Sequence, residues 1–149
     1  MLRMTLAFCL SLTATVATAE IDILEVQSPG GINAWVVEEP SIPFVALEIR
    51  IRGGANLDLP GKRGATNLMM GLLEEGSGEM SAQEFQTELE NLATSFSFSA
   101  FDDTLSISAR FLTENKEESI ALLRQALINP RFDQSALDRV RAQVISGIT

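Results

Sequence analysis

Apolar positions along this chain first alternate and then recur every three to four residues, an order that predicts strands before helices. Ile21–Val26 and Ile32–Val37 read as a hairpin about the Pro29-Gly30-Gly31 turn. After a second turn over Glu38–Pro43, Val45, Leu47, Ile49 and Ile51 alternate with Glu48, Arg50 and Arg52. That is a strand over Phe44–Arg52 with one wet face, ended by Gly53-Gly54. Beyond Gly64, the residues Ala65, Leu68, Met69, Leu72 and Leu73 predict an amphipathic helix stopped by Gly76-Ser77-Gly78. Ser81 and Glu84 predict a capping box, with Met80 stapled onto Phe85 and a buried face of Ala82, Phe85, Leu89 and Leu92.

Ser95–Phe101 and Thr104–Phe111 follow as strands joined by a tight turn at Asp102-Asp103, with Phe96 and Phe98 as core. Asn115 and Glu118 predict a second capping box, on a helix with an apolar side of Ile120, Leu123 and Leu127 that Pro130 terminates. Asp133 should cap the last helix, Phe132 should staple onto Leu137, and Leu137, Val140, Val144 and Ile148 form its stripe. No stop signal precedes Thr149, so the helix is expected to continue in a longer protein. Strands, a helix pair, a hairpin and another helix pair predict an α+β fold, a two-layer sandwich of a mainly antiparallel sheet with helices packed on one face.

Composition narrows the chemistry. The 149 residues are 46% hydrophobic and 21% charged, as expected of one globular domain. There is no histidine, which excludes Ser-His-Asp and Cys-His nucleophilic sites and any His-ligated zinc. Two lysines, Lys62 and Lys116, lack Ser-x-x-Lys spacing, so only carboxylate chemistry is left. The adjacent pairs Glu38-Glu39, Glu74-Glu75, Asp102-Asp103 and Glu117-Glu118 diverge in direction and read as solvated. A formal charge of −9 argues against nucleic acid and anionic membrane as partners.

Met1–Ala19 has an early Arg3, an apolar run from Leu6 through Val16 and a small-residue end at Ala17-Thr18-Ala19. It reads as a signal peptide cleaved after Ala19, leaving residues 20–149 as the mature domain, with export to the periplasm and no membrane attachment. Cleavage removes the only cysteine, Cys9, so no disulfide is available.

On the Gly64 helix, Asn67, Met70 and Gly71 share one face at spacings of 0, +3 and +4. That spacing can hold two zinc-binding imidazoles and a general base, yet an amide, a thioether and bare backbone supply neither. An ordinary core helix explains the apolar stripe. It does not explain Gly71, since glycine costs about 1 kcal/mol against alanine in a helix interior.

From about Gly31 to Ile148 the chain resembles the N-terminal domain of the M16 peptidases, the inverted-zincin family of pitrilysin and the insulinases. The resemblance rests on ordered pieces: Ile42-Pro43-Phe44-Val45, Arg52-Gly53-Gly54-Ala55, Gly61-Lys62-Arg63-Gly64, Glu75-Gly76, Asp102-x-Thr104, Asn129-Pro130-Arg131-Phe132 and Asp138-Arg139-Val140-Arg141. In that family the helix carries His-x-x-Glu-His, and a glutamate in the last helix completes the zinc site. Those positions fall here on Asn67, Met70, Gly71 and Gly147, and the family's substrate-holding Asn-Ala pair falls on Phe96-Ser97.

The resemblance implies a pseudo-peptidase with no catalytic, metal or cofactor residues of its own. It would share a peptide substrate with an M16 zinc peptidase partner that carries the intact motif and the only zinc. Two alternatives stay open: an active M16 enzyme with ligands outside this chain, and a stand-alone periplasmic peptide-binding module.

Overall fold

The computed structural model describes residues 21–148, so the expected signal peptide and its cleavage after Ala19 lie outside the described residues. The chain divides by contacts at Pro40 into two units. In the first, β1 (Leu24–Gln27) and β2 (Asn33–Val36) form an antiparallel hairpin pairing Leu24 with Val36, shorter than the predicted strands but in the predicted place. Ser28 closes its turn, its N–H donating to the Ile32 carbonyl at 2.8 Å.

The second unit is built on a three-stranded antiparallel sheet in the order β3 (Phe44–Arg52), β7 (Thr104–Leu112), β6 (Ser95–Ala100). The bounds of β3 are those read from the alternation. One sheet face supplies Leu47, Ile49, Phe96, Phe98, Ile107 and Phe111 to a core completed by helices. On the other face Ser106 and Ser108 donate their hydroxyls to Glu48, which also pairs with Arg50 at 3.3 Å. This is the two-layer α+β arrangement predicted.

After β3 the chain doubles back onto the turn between β6 and β7: Ala55 N–H donates to the Phe101 carbonyl at 2.8 Å and Asn56 N–H to that of Asp102 at 2.9 Å. Only glycine permits this approach, because a Cβ on Gly54 would sit 2.1 Å from the Phe101 carbonyl oxygen. The two-residue Asp102-Asp103 turn forms as expected, with Phe101 N–H donating to the Thr104 carbonyl at 2.9 Å.

Helix α1 (Ala65–Leu72) is shorter than predicted. Gly76-Ser77 leaves it as β4 and pairs with β5 (Met80–Ser81) instead of remaining a loop. Its N-terminus is held from a distance. Asp58 accepts from Gly64 N–H at 2.7 Å, Thr66 N–H at 3.1 Å and the Thr66 hydroxyl at 2.6 Å, satisfying donors that a helix start leaves open. Helix α2 (Ala82–Asn91) carries the predicted Ser81–Glu84 capping box, and Phe85 and Leu89 are buried.

Helix α3 (Lys116–Ile128) departs from expectation twice. The Asn115 side chain makes no cap; its amide instead donates to the Leu92 carbonyl at 2.9 Å, tying the start of α3 to the end of α2. The buried stripe is Ser119, Leu122, Leu123 and Ala126, whereas Ile120 and Leu127 are exposed. The rotation follows from Ser119, whose hydroxyl is satisfied inside the core by Thr94 at 2.7 Å.

Helix α4 (Gln134–Ile148) starts after Asp133, whose carbonyl accepts from Leu137 N–H at 2.9 Å while its carboxylate is taken by Arg131. Phe132, ahead of the helix, has φ 53° and is 39% exposed. Leu137 and Val144 pack beside the buried Ala136 and Val140 as the stripe predicted.

The Thr66 hydroxyl first, then the Gly64 and Thr66 N–H groups, hold the Asp58 carboxyl below its ordinary 3.8. A depressed carboxyl contributes stability above the ordinary value and loses it as pH falls through the depressed one. Asp58→Ala should therefore melt below the wild type at pH 7, with the gap closing as pH drops beneath 3.8, followed by circular dichroism melts across pH.

Candidate functional site

Helix α1 carries Asn67, Met70 and Gly71, and its packing accounts for the last two. It is buried on two sides. Met70 and Leu73 face the sheet core beside Phe85 and Phe98. Leu72, with Leu68, faces Ala136 and Val140 of α4. The single stripe predicted from spacing is corrected accordingly: Met69 is 40% exposed and Met70 only 3%.

Gly71 lies at the crossing of α1 and α4. A Cβ there would stand 2.9 Å from Val140 Cγ1, a separation that side-chain carbons do not adopt. The glycine that helix propensity could not explain is thus the contact that lets α4 close onto α1. Asn67 is half-buried on the same helix. Gly147 is exposed near the end of α4, with no atom within 4 Å of where its Cβ would be.

Two polar groups extend the site, and both correct the expectation that the adjacent carboxylate pairs are solvated. Glu75, its side chain 16% exposed, takes Arg139 of α4 in a two-pronged pair at 2.5 and 2.7 Å, which raises the Arg139 pKa. Glu74 is half-buried. Burial pushes its carboxyl up, partly offset by the Phe98 backbone N–H, and the neighbouring Glu75 charge adds to the rise. Spacing gave no signal for Glu74, because its environment comes from β6. The Phe96-Ser97 pair lies on β6: the Phe96 ring is 6.4 Å from Phe85 and 6.3 Å from Phe98, and Ser97 is exposed.

Residues 34–148 match the family described as Insulinase (Peptidase family M16). The chain belongs to that family. Over 111 residues it is 31% identical to the "Non-peptidase homolog YmxG" of Helicobacter pylori, an alignment covering 74% of this chain and 26% of the relative. Among solved structures it resembles a peptidase M16 inactive domain from Pseudomonas fluorescens, with a TM-score of 0.78 at 22% identity over 85% of this chain and 31% of that one. It also resembles a protease from Helicobacter pylori, with a TM-score of 0.68 at 14% identity over 83% and 30% of the two chains. The chain therefore spans roughly a third or less of each of these proteins.

The family implies zinc, and the residues at the M16 motif positions do not fit it. A borderline-soft dication needs imidazole, thiolate or carboxylate donors. Met70 points its thioether into the core, and Gly71 is closed off by Val140. Among the described residues no group of three or more His, Cys, Asp or Glu side chains is placed to hold a metal ion.

Two substitutions test this packing. Gly71→Ala gains about 1 kcal/mol of helix propensity but overpacks Val140 at a cost of about 1–3 kcal/mol, so a net loss near 1 kcal/mol is expected. In a Val140→Ala background the same change should become stabilising, a sign reversal measurable by urea denaturation. Met70→Glu should cost several kcal/mol at pH 7 by burying a carboxylate, against less than about 1.5 for Met70→Leu, and added zinc should rescue neither.

Proposed function

We propose that this chain is a non-catalytic M16 subunit forming one wall of a peptide chamber, closed by a zinc-bearing M16 partner in the periplasm. The observation that carries the reading is the state of the motif helix. Where the family's chemistry needs two imidazoles and a base, this helix carries an amide, a core thioether and a glycine packed on Val140. The relatives point the same way, one being called a non-peptidase homologue and one an inactive domain.

A wall without metal still has physical work to perform. Holding an extended peptide against a partner's reactive group lowers the entropy cost of reaction, and a closed chamber excludes water. Backbone pairing along a sheet edge suits that task because it reads an extended conformation and not a particular side chain. On this reading the subunit supplies position and enclosure, and all bond cleavage belongs to the partner.

The test is reconstitution. Purified alone, the full-length protein should carry no stoichiometric zinc by elemental analysis and should not cleave a fluorogenic peptide. Mixed with an M16 protein that retains His-x-x-Glu-His, it should raise that protein's hydrolysis rate. Zinc and cleavage in the isolated subunit would overturn the reading.

A further inference from the structure

The open face of the sheet carries charge of the opposite sign to the rest of the chain. Residues directly opposite one another across β3, β7 and β6 share a face. Ala46, Arg110 and Ser95 therefore form one row, Glu48, Ser108 and Ser97 the next, then Arg50, Ser106 and Ser99, with Arg52 and Thr104 at the end. The hydrophobic core lies on the other face. Arg50, Arg52 and Arg110 are the basic residues of these three strands and Glu48 is their one acid, three positive against one negative, a formal +2 on a chain of −9. All four are exposed.

That one acid is compensated from within. Glu48 accepts the hydroxyls of Ser106 and Ser108 and pairs with Arg50 at 3.3 Å, so its charge and that of Arg50 largely cancel. Arg52 and Arg110 have no such partner: among the described residues no carboxylate forms an ion pair with either. They stand three rows apart, about 20 Å along the strands, at opposite ends of the face.

We propose that this face docks an extended acidic segment of a partner polypeptide, held through side chains and without backbone pairing. A guanidinium makes two-pronged, charge-assisted bonds to a carboxylate and keeps its own charge at any physiological pH. Rows of the sheet repeat about every 7 Å, the spacing at which an extended chain presents every second side chain. Carboxylates at alternate positions thus fall in step with the arginine rows, whereas a compact anion engages one end of the face only. No aromatic ring stands within these rows for a base to stack on, and the chain as a whole repels phosphate backbones, which favours a polypeptide over single-stranded nucleic acid. Repulsion by the acidic remainder of the chain confines such a segment to this face. Docking of this kind needs no metal and stands whether or not the chain walls a peptide chamber.

Binding would be read by fluorescence anisotropy on the full-length protein, with a labelled twelve-residue peptide alternating glutamate and threonine beside its glutamine counterpart. At low salt the glutamate peptide should bind about tenfold more tightly, and the advantage should shrink at about 0.5 M salt. Arg52→Ser and Arg110→Ser should each cost it about threefold while leaving the glutamine peptide unaffected. Glu48→Gln, which releases Arg50, should move the other way and tighten the glutamate peptide, a sign that loss of folding cannot imitate. Equal binding of the two peptides, no binding of either, or arginine variants that behave as wild type overturns the proposal. So does an oligothymidylate that binds more tightly than the glutamate peptide, which would make the face a nucleic-acid surface.

Discussion

The structure depends on how closely α4 approaches α1. At Gly71 a Cβ would stand 2.9 Å from Val140 Cγ1, closer than side-chain carbons pack, so Val140 would have to shift to admit one. That contact seats Leu72 against Ala136 and Val140 and so holds the last helix on the domain. The Glu75–Arg139 pair ties the turn after α1 to the same helix, beside Val140. In a close-packed interior, a volume given to packing is unavailable to chemistry.

The buried faces of α1 are packing surfaces. Met70 works as a hydrophobic filler between the sheet and α2, a use suited to its flexible and polarizable side chain. Around it stand the Gly53-Gly54 fold-back, the remote Asp58 brace and the capped α2.

Much of this was legible in the amino-acid order, and the gaps have physical causes. β3, β6, β7 and the α2 capping box followed from period-two alternation and local hydrogen-bonding chemistry, which act within a few residues. The buried faces of α1 and α3 did not. α1 is packed on two sides, so no single stripe describes it, and α3 is phased by a buried serine whose partner is Thr94. Gly71 was visible as an anomaly of propensity, but its cause, Val140, lies far along the chain. Glu74 looked like any surface acid until β6 was placed beside it.

The strand Ser95–Ala100 alternates serine with phenylalanine so regularly that its side-chain pattern alone would tolerate a shift of two residues. The length of the Asp102-Asp103 connection removes that ambiguity by fixing which residue faces which across the hairpin. Its parity then reaches to the far side of the strand. An even change in loop length conserves which amides point outward, while an odd one hands the rim to serine backbone and turns the rings toward water. Two aspartates at the tip of a hairpin thereby set the alphabet in which the opposite margin of the sheet can be read.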